Sequence, residues 1–125
     1  MIHLDTSIMI DALTGSRRSM PALRRAVADG NRLGISSLAL YEWRRGPRTE
    51  TELAIEAALV GPECVVAFGE VEAQLAAAAY RAVRRARGRE IDVAIAACSM
   101  SQDARLWTLN PSDFDDIPGL ELYRP

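Results

Sequence analysis

The sequence predicts a three-layer α/β fold, in which a mainly parallel sheet of four or five strands is flanked by helices. Two observations lead to this prediction. Short apolar or β-branched runs alternate with helix-forming segments along the whole chain, which is the pattern of parallel sheets with crossover helices. The chain also has 125 residues, 49% of them hydrophobic, with no repeat and no long linker. It is therefore expected to form a single domain over residues 1–125.

The first half of the chain contains two predicted strands and four predicted helices. The strands are the apolar runs Met1–Leu4 and Arg32–Ile35. The helices have apolar residues at helical spacing, and each ends near a glycine or a Gly-Pro pair. The first helix follows Asp5, the second spans Met20–Ala28, the third follows the capping residues Ser36 and Ser37, and the fourth spans Glu50–Leu59.

The second half continues the alternation. The β-branched run Cys64–Phe68 predicts a third strand, and Arg105–Leu109 predicts a fourth. Between them, the Ala-rich segment Glu70–Arg87 and the segment Glu90–Met100 each have an apolar helical stripe. Leu120–Tyr123 is a candidate for a short fifth strand. Because strands and helices alternate to the end, we expect the sheet to be mainly parallel.

Composition excludes several classes of protein. No apolar run approaches the roughly 18 residues of a transmembrane helix, and the N-terminus opens into a strand instead of a signal peptide. Cys64 and Cys98 have apolar neighbours, which favours two buried thiols over a disulfide. A zinc site is not expected, because His3 is the only histidine and there is no C-x-x-C motif. We therefore expect a protein of the reducing cytoplasm.

The basic residues suggest a contact with phosphate. The net charge is −2, but all 15 basic residues are arginines, and several of them crowd into Arg81–Arg89. Arginine is planar, permanently charged and able to bind phosphate through two hydrogen bonds. A solvated helix face explains a charge run equally well, and a GC-rich genome explains the absence of lysine.

Two acids of the first half stand where a parallel sheet binds ligands, beyond the carboxyl ends of its strands. Asp5 directly follows the first predicted strand, where the alternative role is to cap the following helix. Glu42 lies inside an apolar stretch of the third predicted helix. Its alternative role is an ion pair with Arg45 on the same helix face.

The second half adds further polar residues at the same edge. Asp92 precedes the apolar run Val93–Ala97, and its alternative role is to favour a helix N-terminus. Asn110 and Asp113 follow the fourth predicted strand, where turn chemistry also explains them. Asp115 and Asp116 extend an acidic loop that solvation explains.

Convergence of these acids at one edge of the sheet would give a metal site. Carboxylates brought within a few ångströms raise one another's pKa, and a divalent cation relieves that repulsion. Oxygen ligands without His or Cys suit Mg²⁺ or Mn²⁺. Magnesium held by acids activates water and stabilises charge on a phosphoryl oxygen, which is the chemistry of phosphodiester hydrolysis.

Four short motifs, in order along the chain, resemble those of the PIN domain family. The family motifs are a strand followed by Asp-Thr-Ser or Asp-Thr-Asn, a second acid, an Asp-x-x-Ile-Ala-Ala helix, and a closing Thr-x-Asn-x-x-Asp-Phe. In this sequence they correspond to Ile2–Ser7, Glu42 after Ser36-Ser37-Leu38, Asp92–Ala97 and Trp107–Phe114. Each motif is short, but the resemblance covers essentially the whole chain.

Within that family, the size and the Ile-Pro-Gly-Leu sequence at 117–120 resemble the VapC toxins of bacterial toxin–antitoxin pairs. The resemblance implies a ribonuclease of tRNA or rRNA that a VapB-like antitoxin keeps inactive. It also implies a PIN-like fold, commonly a homodimer, which forms a heterotetramer or a larger assembly with the antitoxin. By matching position, the metal-binding, catalytic acids are Asp5, Glu42, Asp92 and Asp113, and the residues supporting them by hydrogen bonds are Thr6, Ser7 and Asn110.

Two positions depart from the family pattern. Leu109 stands where an arginine is common before the asparagine. This difference is expected to weaken contacts with RNA or with the antitoxin near the site. Some members carry Asp at the position of Asn110, so the fourth acid stays open between Asp113, Asn110, Asp115 and Asp116.

The resulting hypothesis is RNA hydrolysis by a water that Mg²⁺, or Mn²⁺, activates. Asp5 and Asp92 are the expected central ligands, completed by Glu42 and Asp113. The side chains expected to meet the RNA backbone are Arg44, Arg45, Arg85, Arg87 and Arg89. An apolar groove formed by Leu40, Tyr41 or Trp43 is expected to receive the antitoxin.

Two alternatives belong to other functional classes. A phosphohydrolase of small substrates normally needs an Asp-x-Asp pair as nucleophile and acid, but Ser7 stands two residues after Asp5. A PIN-like module that only binds partners would not require every acid of the site. Metal titration with and without RNA distinguishes these alternatives from a nuclease.

Overall fold

The computed structural model describes all of residues 1–125 and consists of four β-strands and six α-helices. The strands are β1 (Ile2–Leu4), β2 (Leu33–Ser36), β3 (Val65–Val66) and β4 (Arg105–Trp107). The helices are α1 (Thr6–Leu13), α2 (Met20–Ala28), α3 (Ser37–Arg44), α4 (Glu50–Leu59), α5 (Glu70–Ala82) and α6 (Glu90–Ser101). The predicted α/β class with a parallel four-stranded sheet is confirmed.

The strands are all parallel and follow the order β3-β2-β1-β4. Because crossovers between parallel strands are nearly always right-handed, this strand order is expected to put α1 to α4 on one face of the sheet and α5 and α6 on the other. The direction of strand addition reverses between β1 and β4. Ligands of such sheets bind at this reversal, beyond the carboxyl ends of the two strands. Asp5 and Thr108 directly follow these two strands.

The core lies on both faces of β1, whose three residues are all buried. Seven consecutive residues of α6, from Val93 to Ser99, are also buried, because this helix packs against the sheet and against α5. In the centre of the sheet His3 pairs with Gly34 of β2. A Cβ atom on Gly34 would lie 2.8 Å from Cδ2 of His3, so the ring fits only beside a residue without a side chain.

Several element boundaries differ from those the sequence predicts. The helix predicted over Glu70–Arg87 ends at Ala82, and Arg85 adopts a left-handed φ of 53°. Beyond Ala82 the chain has mainly arginines and little apolar surface to bury, and like charges three or four residues apart repel on a helix. The arginine-rich segment is therefore a loop.

The outer strands are also shorter than predicted. Cys64 belongs to a 3-10 turn over Pro62–Cys64 that precedes β3, and Ala67 and Phe68 follow the strand. The strand β4 ends at Trp107, because the next residue bonds to the side chain of Asp5. The candidate fifth strand Leu120–Tyr123 amounts to a single parallel bridge between Leu122 and Leu106.

Other local predictions hold. Ser36 caps α3 by accepting a hydrogen bond from the backbone N–H of Ala39 at 3.0 Å. Cys64 and Cys98 are both buried and unpaired. None of the helices combines the length and the apolar character that crossing a lipid bilayer requires.

Candidate active site

The carboxylate of Asp5 is held at the reversal of the sheet by two hydroxyl groups. Asp5 occupies the N-cap position of α1, yet its side chain makes no capping hydrogen bond. Its Oδ2 atom instead accepts hydrogen bonds from Ser7 at 2.9 Å and from Thr108 at 2.8 Å. With 6% of its surface exposed, Asp5 is a buried carboxylate aimed at the edge of the sheet rather than a helix cap.

Glu42 reaches the same edge from α3. Its Oε1 atom accepts a hydrogen bond from the hydroxyl of Thr6 at 2.8 Å, which links the second acid to the residue after Asp5. The ion pair that the sequence offered as an alternative is also present, but Nη2 of Arg45 is 3.9 Å from Oε2. Because the Thr6 contact is much shorter, α1 determines the position of Glu42 more than Arg45 does.

Asp92 lies in the first turn of α6 and interacts electrostatically with the other acids. Its pKa is raised from 3.8 to about 6. Burial is the largest cause, followed by the negative charges of Asp5, Asp113 and Glu42, while Arg89 acts in the opposite direction. Three carboxylates from three other parts of the chain therefore face Asp92 closely enough to disfavour its charge.

The loop after β4 brings the last acid to the edge. A 3-10 turn over Pro111–Asp113 follows Asn110, and Asp113 is exposed at its end. Asn110 contributes its backbone N–H, which donates to Thr108 Oγ1 at 3.0 Å. Among the residues that were left open as the fourth acid, Asp113 raises the pKa of Asp92, whereas Asp116 pairs with Arg89. Asp113 therefore stays our prediction for the fourth acid.

Arg89 ties the loop that carries Asp113 to the start of α6. Its guanidinium donates to both carboxylate oxygens of Asp116, at 2.6 and 3.0 Å, and to the backbone carbonyl of Asp113 at 2.7 Å. A further bond at 3.0 Å goes to the carbonyl of Arg84. The side chain is only 16% exposed. Both terminal nitrogens of Arg89 are thus bound inside the protein and its Nε atom is buried without a partner, which does not favour the predicted contact with RNA.

The other predicted RNA-binding arginines lie on the surface. The guanidinium of Arg44 donates to both carboxylate oxygens of the buried Glu56, at 2.8 and 3.1 Å, and its side chain remains 55% exposed. Arg45 is 60% exposed and lies over the ring of Tyr41. Arg85 and Arg87 are exposed in the loop between α5 and α6. Their contact with RNA stays a prediction.

The donor set at this edge fits a magnesium ion that keeps part of its water shell. All the candidate ligands are carboxylate oxygens. No three acidic, histidine or cysteine side chains lie close enough together to enclose a metal ion by themselves. Mg²⁺ is usually held by only one or two carboxylates, with water and substrate phosphates completing its shell. The residues present therefore fit a hard divalent cation that is bound partly through water.

Thr108 is the first residue of the closing motif, but sequence reasoning gave it no role in the site. Its hydroxyl donates to Asp5 and accepts from the backbone of Asn110, so it joins β1 to the loop after β4. The hydroxyl of Ser7 completes this link by accepting from the N–H of Leu109 at 3.0 Å. The available signal was its position, since Thr108 directly follows a strand, as Asp5 does.

Arg89→Gln is expected to lower both stability and the metal-dependent hydrolysis of RNA that the sequence predicts. Hydrogen bonds to charged groups contribute about 1.5–3 kcal/mol when buried. Asp116 is 40% exposed, which lowers the expected loss to roughly 1–2 kcal/mol. Release of the Asp113 loop is expected to reduce kcat/KM about 10- to 100-fold, as loss of an outer support of a metal site does.

Urea unfolding and cleavage assays measure both effects of Arg89→Gln. Arg24→Gln is the matched control, because Arg24 is an exposed arginine on α2 with no proposed role in the site. Arg89→Lys retains the charge without the paired hydrogen bonds and should fall between the wild type and Arg89→Gln. Equal stability and activity for Arg89→Gln and Arg24→Gln would contradict the positioning role.

A parallel α/β sheet with acids at its carboxyl edge, where Asp5, Glu42 and Asp113 act on Asp92, defines the structural class of this protein. The chain belongs to the PIN domain family, whose family model matches residues 2–120. No curated protein matches the sequence.

Solved structures with the same fold include VapBC2 from Rickettsia felis bound to a DNA fragment from their promoter, with a TM-score of 0.74, 22% identity and coverage of 98% of each chain. FitAcB from Neisseria gonorrhoeae has a TM-score of 0.73 and 18% identity, over 100% of this chain and 98% of that one. DNA-bound VapBC from Salmonella typhimurium has a TM-score of 0.69 and 22% identity, over 98% and 96%. At these identities the similarity shows the fold alone.

Proposed function

We propose that the protein is a Mg²⁺-dependent endoribonuclease, and that it is the toxin of a toxin–antitoxin pair. The observation that carries the proposal is the arrangement at the carboxyl edge of the sheet, where hydroxyl groups hold Asp5 and Glu42 and where the charges of Asp5, Asp113 and Glu42 act on Asp92. Four neighbouring carboxylates repel one another, and this repulsion destabilises the fold unless a cation is bound between them. Membership of the PIN domain family supports a nuclease over other metal-dependent enzymes.

The acids divide into two pairs in this proposal. Asp5 and Asp92 are the central ligands, since Asp5 is fixed by two hydroxyls and Asp92 faces the other three acids. Glu42 and Asp113 complete the site directly or through water. A bound Mg²⁺ or Mn²⁺ would supply Lewis acidity at a phosphoryl oxygen and lower the pKa of its water.

The hydroxyl groups around the acids have a positioning role. Ser7 and Thr108 both donate to one oxygen of Asp5, which leaves the other oxygen, Oδ1, free of hydrogen bonds within the protein. Thr6 in the same way occupies Oε1 of Glu42 and directs that carboxylate. Side chains held by such bonds do not need to reorganise when a cation and a phosphate arrive.

RNA, from tRNA or rRNA, is the proposed substrate, with Arg45, Arg85 and Arg87 meeting its backbone. Arg44 is the fourth arginine of this proposed set, although its bonds to Glu56 must be shared or broken. A protein that neutralises several phosphates binds more weakly as salt rises, so affinity for RNA is expected to fall steeply between about 50 and 200 mM salt.

The proposed protein partner is a VapB-like antitoxin, and the proposed assembly is a homodimer that binds it as a heterotetramer or larger complex. The presence of VapBC structures among those of the same fold supports this. Tyr41, 62% exposed, is available at the proposed groove, and Leu40 is half-buried there. Trp43 is fully buried and belongs to the core instead. The proposal places the protein in the cytoplasm, with its RNA substrate.

Purified protein tests the function directly. Cleavage of tRNA, rRNA and a small phosphate ester is measured with Mg²⁺, with Mn²⁺ and with chelator, for the wild type and Asp5→Asn. The proposal expects metal-dependent cleavage of RNA alone, and its loss in Asp5→Asn with unchanged circular dichroism. Cleavage of the small ester would favour a phosphohydrolase, and RNA binding without cleavage at any metal concentration would favour a binding module. Mapping 5′ ends of cellular RNA after induced expression then identifies the target.

A further inference from the structure

A groove of about 390 Å³ opens beside the acid site and runs along α1. Its lining includes Ser7, Ile10, Asp11, Thr14 and Leu109. Three of these positions, 7, 10 and 14, are spaced by three or four residues and therefore share one face of the helix. At 1.5 Å per residue this face extends about 10 Å along the helix axis.

One end of the groove is joined to the acid site by a single hydroxyl group. Ser7 lines the groove, and its Oγ atom donates to Asp5 and accepts from the N–H of Leu109. A group that lies in the groove is therefore next to any phosphate that the acids hold. The volume of the groove also falls within the range of small-molecule sites, about 300–1,000 Å³.

The walls of the groove offer apolar surface that nothing in the chain covers. Ile10 is 41% exposed and Leu109 is 48% exposed. Apolar side chains, like aromatic ones, accept the face of an unstacked base. Neither side chain is needed for the hydrogen bonds around Asp5, because Leu109 contributes there only through its backbone.

The half of the groove farther from the acid site contains one hydrogen-bond acceptor, Asp11, and one exposed cation, Arg18. The carboxylate of Asp11 is 15% exposed and accepts hydrogen bonds from Ser19 and from Arg18, which leaves two of its four lone-pair positions open. The guanidinium of Arg18 is 79% exposed, so its ion pair with Asp11 contributes little and exchanges readily. A base amino group can bind the carboxylate while Arg18 turns to a phosphate.

We propose that this groove is the subsite for one unpaired nucleotide of the RNA, next to the phosphate that is cleaved. The base lies between Ile10 and Leu109, with its exocyclic amino group on Asp11 and the following phosphate at Arg18. Adenine, cytosine and guanine have such an amino group and uracil does not, so uridine is disfavoured in the subsite. This inference rests on the proposed function, because it assumes that RNA is the substrate.

Binding of short single-stranded RNA tests the subsite without cleavage. Fluorescence anisotropy measures Kd for five-nucleotide oligo(A), oligo(C) and oligo(U) in the Asp5→Asn background, at fixed salt. Adding Ile10→Ala and Leu109→Ala together is expected to raise Kd for oligo(A) by about 5- to 100-fold, as loss of one stacking contact does. Arg18→Ala is expected to lower the slope of log K against log salt by about 1. Asp11→Asn is expected to remove the discrimination against oligo(U).

Matched controls lie on other helices. Val71→Ala removes a side chain that is 60% exposed on α5, and Arg24→Ala removes an exposed arginine on α2. Both should retain the affinity and the salt slope of the background protein. If the groove variants behave like these controls, the subsite is overturned. If they lose binding of the antitoxin but bind RNA normally, the groove is a protein-docking surface and the subsite is likewise overturned.

The proposed subsite and the proposed nuclease function can be refuted independently of each other. Wild-type protein that never cleaves RNA, but whose groove variants bind oligo(A) more weakly, would overturn the proposed function and support the subsite. Wild-type protein that cleaves RNA in an Asp5-dependent way, with groove variants of unchanged Kd and base preference, would support the function and overturn the subsite.

Discussion

Asp92→Asn is expected to abolish metal-dependent RNA cleavage and, in metal-free buffer, to make the fold more stable. Asparagine keeps the size of the side chain and removes the charge that Asp5, Asp113 and Glu42 repel. Loss of a direct metal ligand should reduce kcat/KM by more than the roughly 10- to 100-fold that an outer-shell partner is worth. The pKa of Asp92 is about 6, so the charge and its repulsion are present at pH 7.5.

The stability of Asp92→Asn and of the wild type is measured by thermal unfolding with chelator and with Mg²⁺, and their activity is measured by RNA cleavage. The melting temperature of Asp92→Asn should exceed that of the wild type by a few degrees in chelator, and the difference should shrink or reverse with Mg²⁺. Asp29→Asn is the control, because Asp29 is exposed and ends α2 at the opposite edge of the sheet. Wild-type cleavage by Asp92→Asn, or equal melting temperatures in chelator, would refute the assignment.

Acidification from pH 7 to pH 4 is expected to destabilise the fold through His3. This histidine is 1% exposed in β1, and neither ring nitrogen has a hydrogen-bond partner. Its pKa is lowered from 6.5 to about 4, first by burial and then by the positive charge of the N-terminus. Below pH 6.5 the imidazole of His3 binds a proton in the unfolded chain, whereas in the folded chain it binds one only near pH 4. Stability present above pH 6.5 is therefore lost as the pH falls through this window.

The expected loss is about 1.4 kcal/mol per pH unit, or about 3 kcal/mol over the whole window. Asp92 acts in the opposite direction. Its folded pKa of about 6 lies above 3.8, so the folded state takes up this proton first and gains stability as the pH falls through 6. The wild type should hence show a weaker pH dependence than Asp92→Asn, in which the effect of His3 is not opposed.

Urea unfolding at several pH values measures this dependence in the Asp92→Asn background, with and without His3→Gln. The slope between pH 4 and 6.5 should decrease when the imidazole is removed. Because His3 is the only histidine, proton NMR of its ring also follows the titration directly in the folded protein. A ring that titrates near 6.5, or equal slopes with and without His3, would show that the imidazole is not buried as the structure places it.

Much of the fold could be predicted because local patterns and burial agree along most of the chain. Buried apolar runs form β1 and β2, and α2 and α4 begin and end as their stripes and stop signals indicate. The predictions failed where a partner outside the segment decides the backbone. Thr108 leaves β4 to bond Asp5, and the segment after Ala82 becomes a loop whose carbonyl at Arg84 is bound by Arg89.

The candidate site was predicted in its parts and not in its connections. A sequence shows that an acid follows a strand, and that was enough to select Asp5 and Asp113. It does not show which hydroxyl reaches which carboxylate, because Ser7, Thr108 and Asp5 meet only when β1 and β4 pair. Charge alone also grouped Arg89 with the surface arginines, whereas its hydrogen bonds separate it from them.

The sequence by itself determined the composition from which the site is built: a small α/β domain with acids after its strands, a single histidine, and arginines in place of lysines. These properties follow from composition and from short-range spacing, which folding does not change. Only the tertiary structure decided the electrostatics. The raised pKa of Asp92 comes from burial and from three acids contributed by distant segments. Interactions of that kind depend on distance in space, and a sequence specifies distance only along the chain.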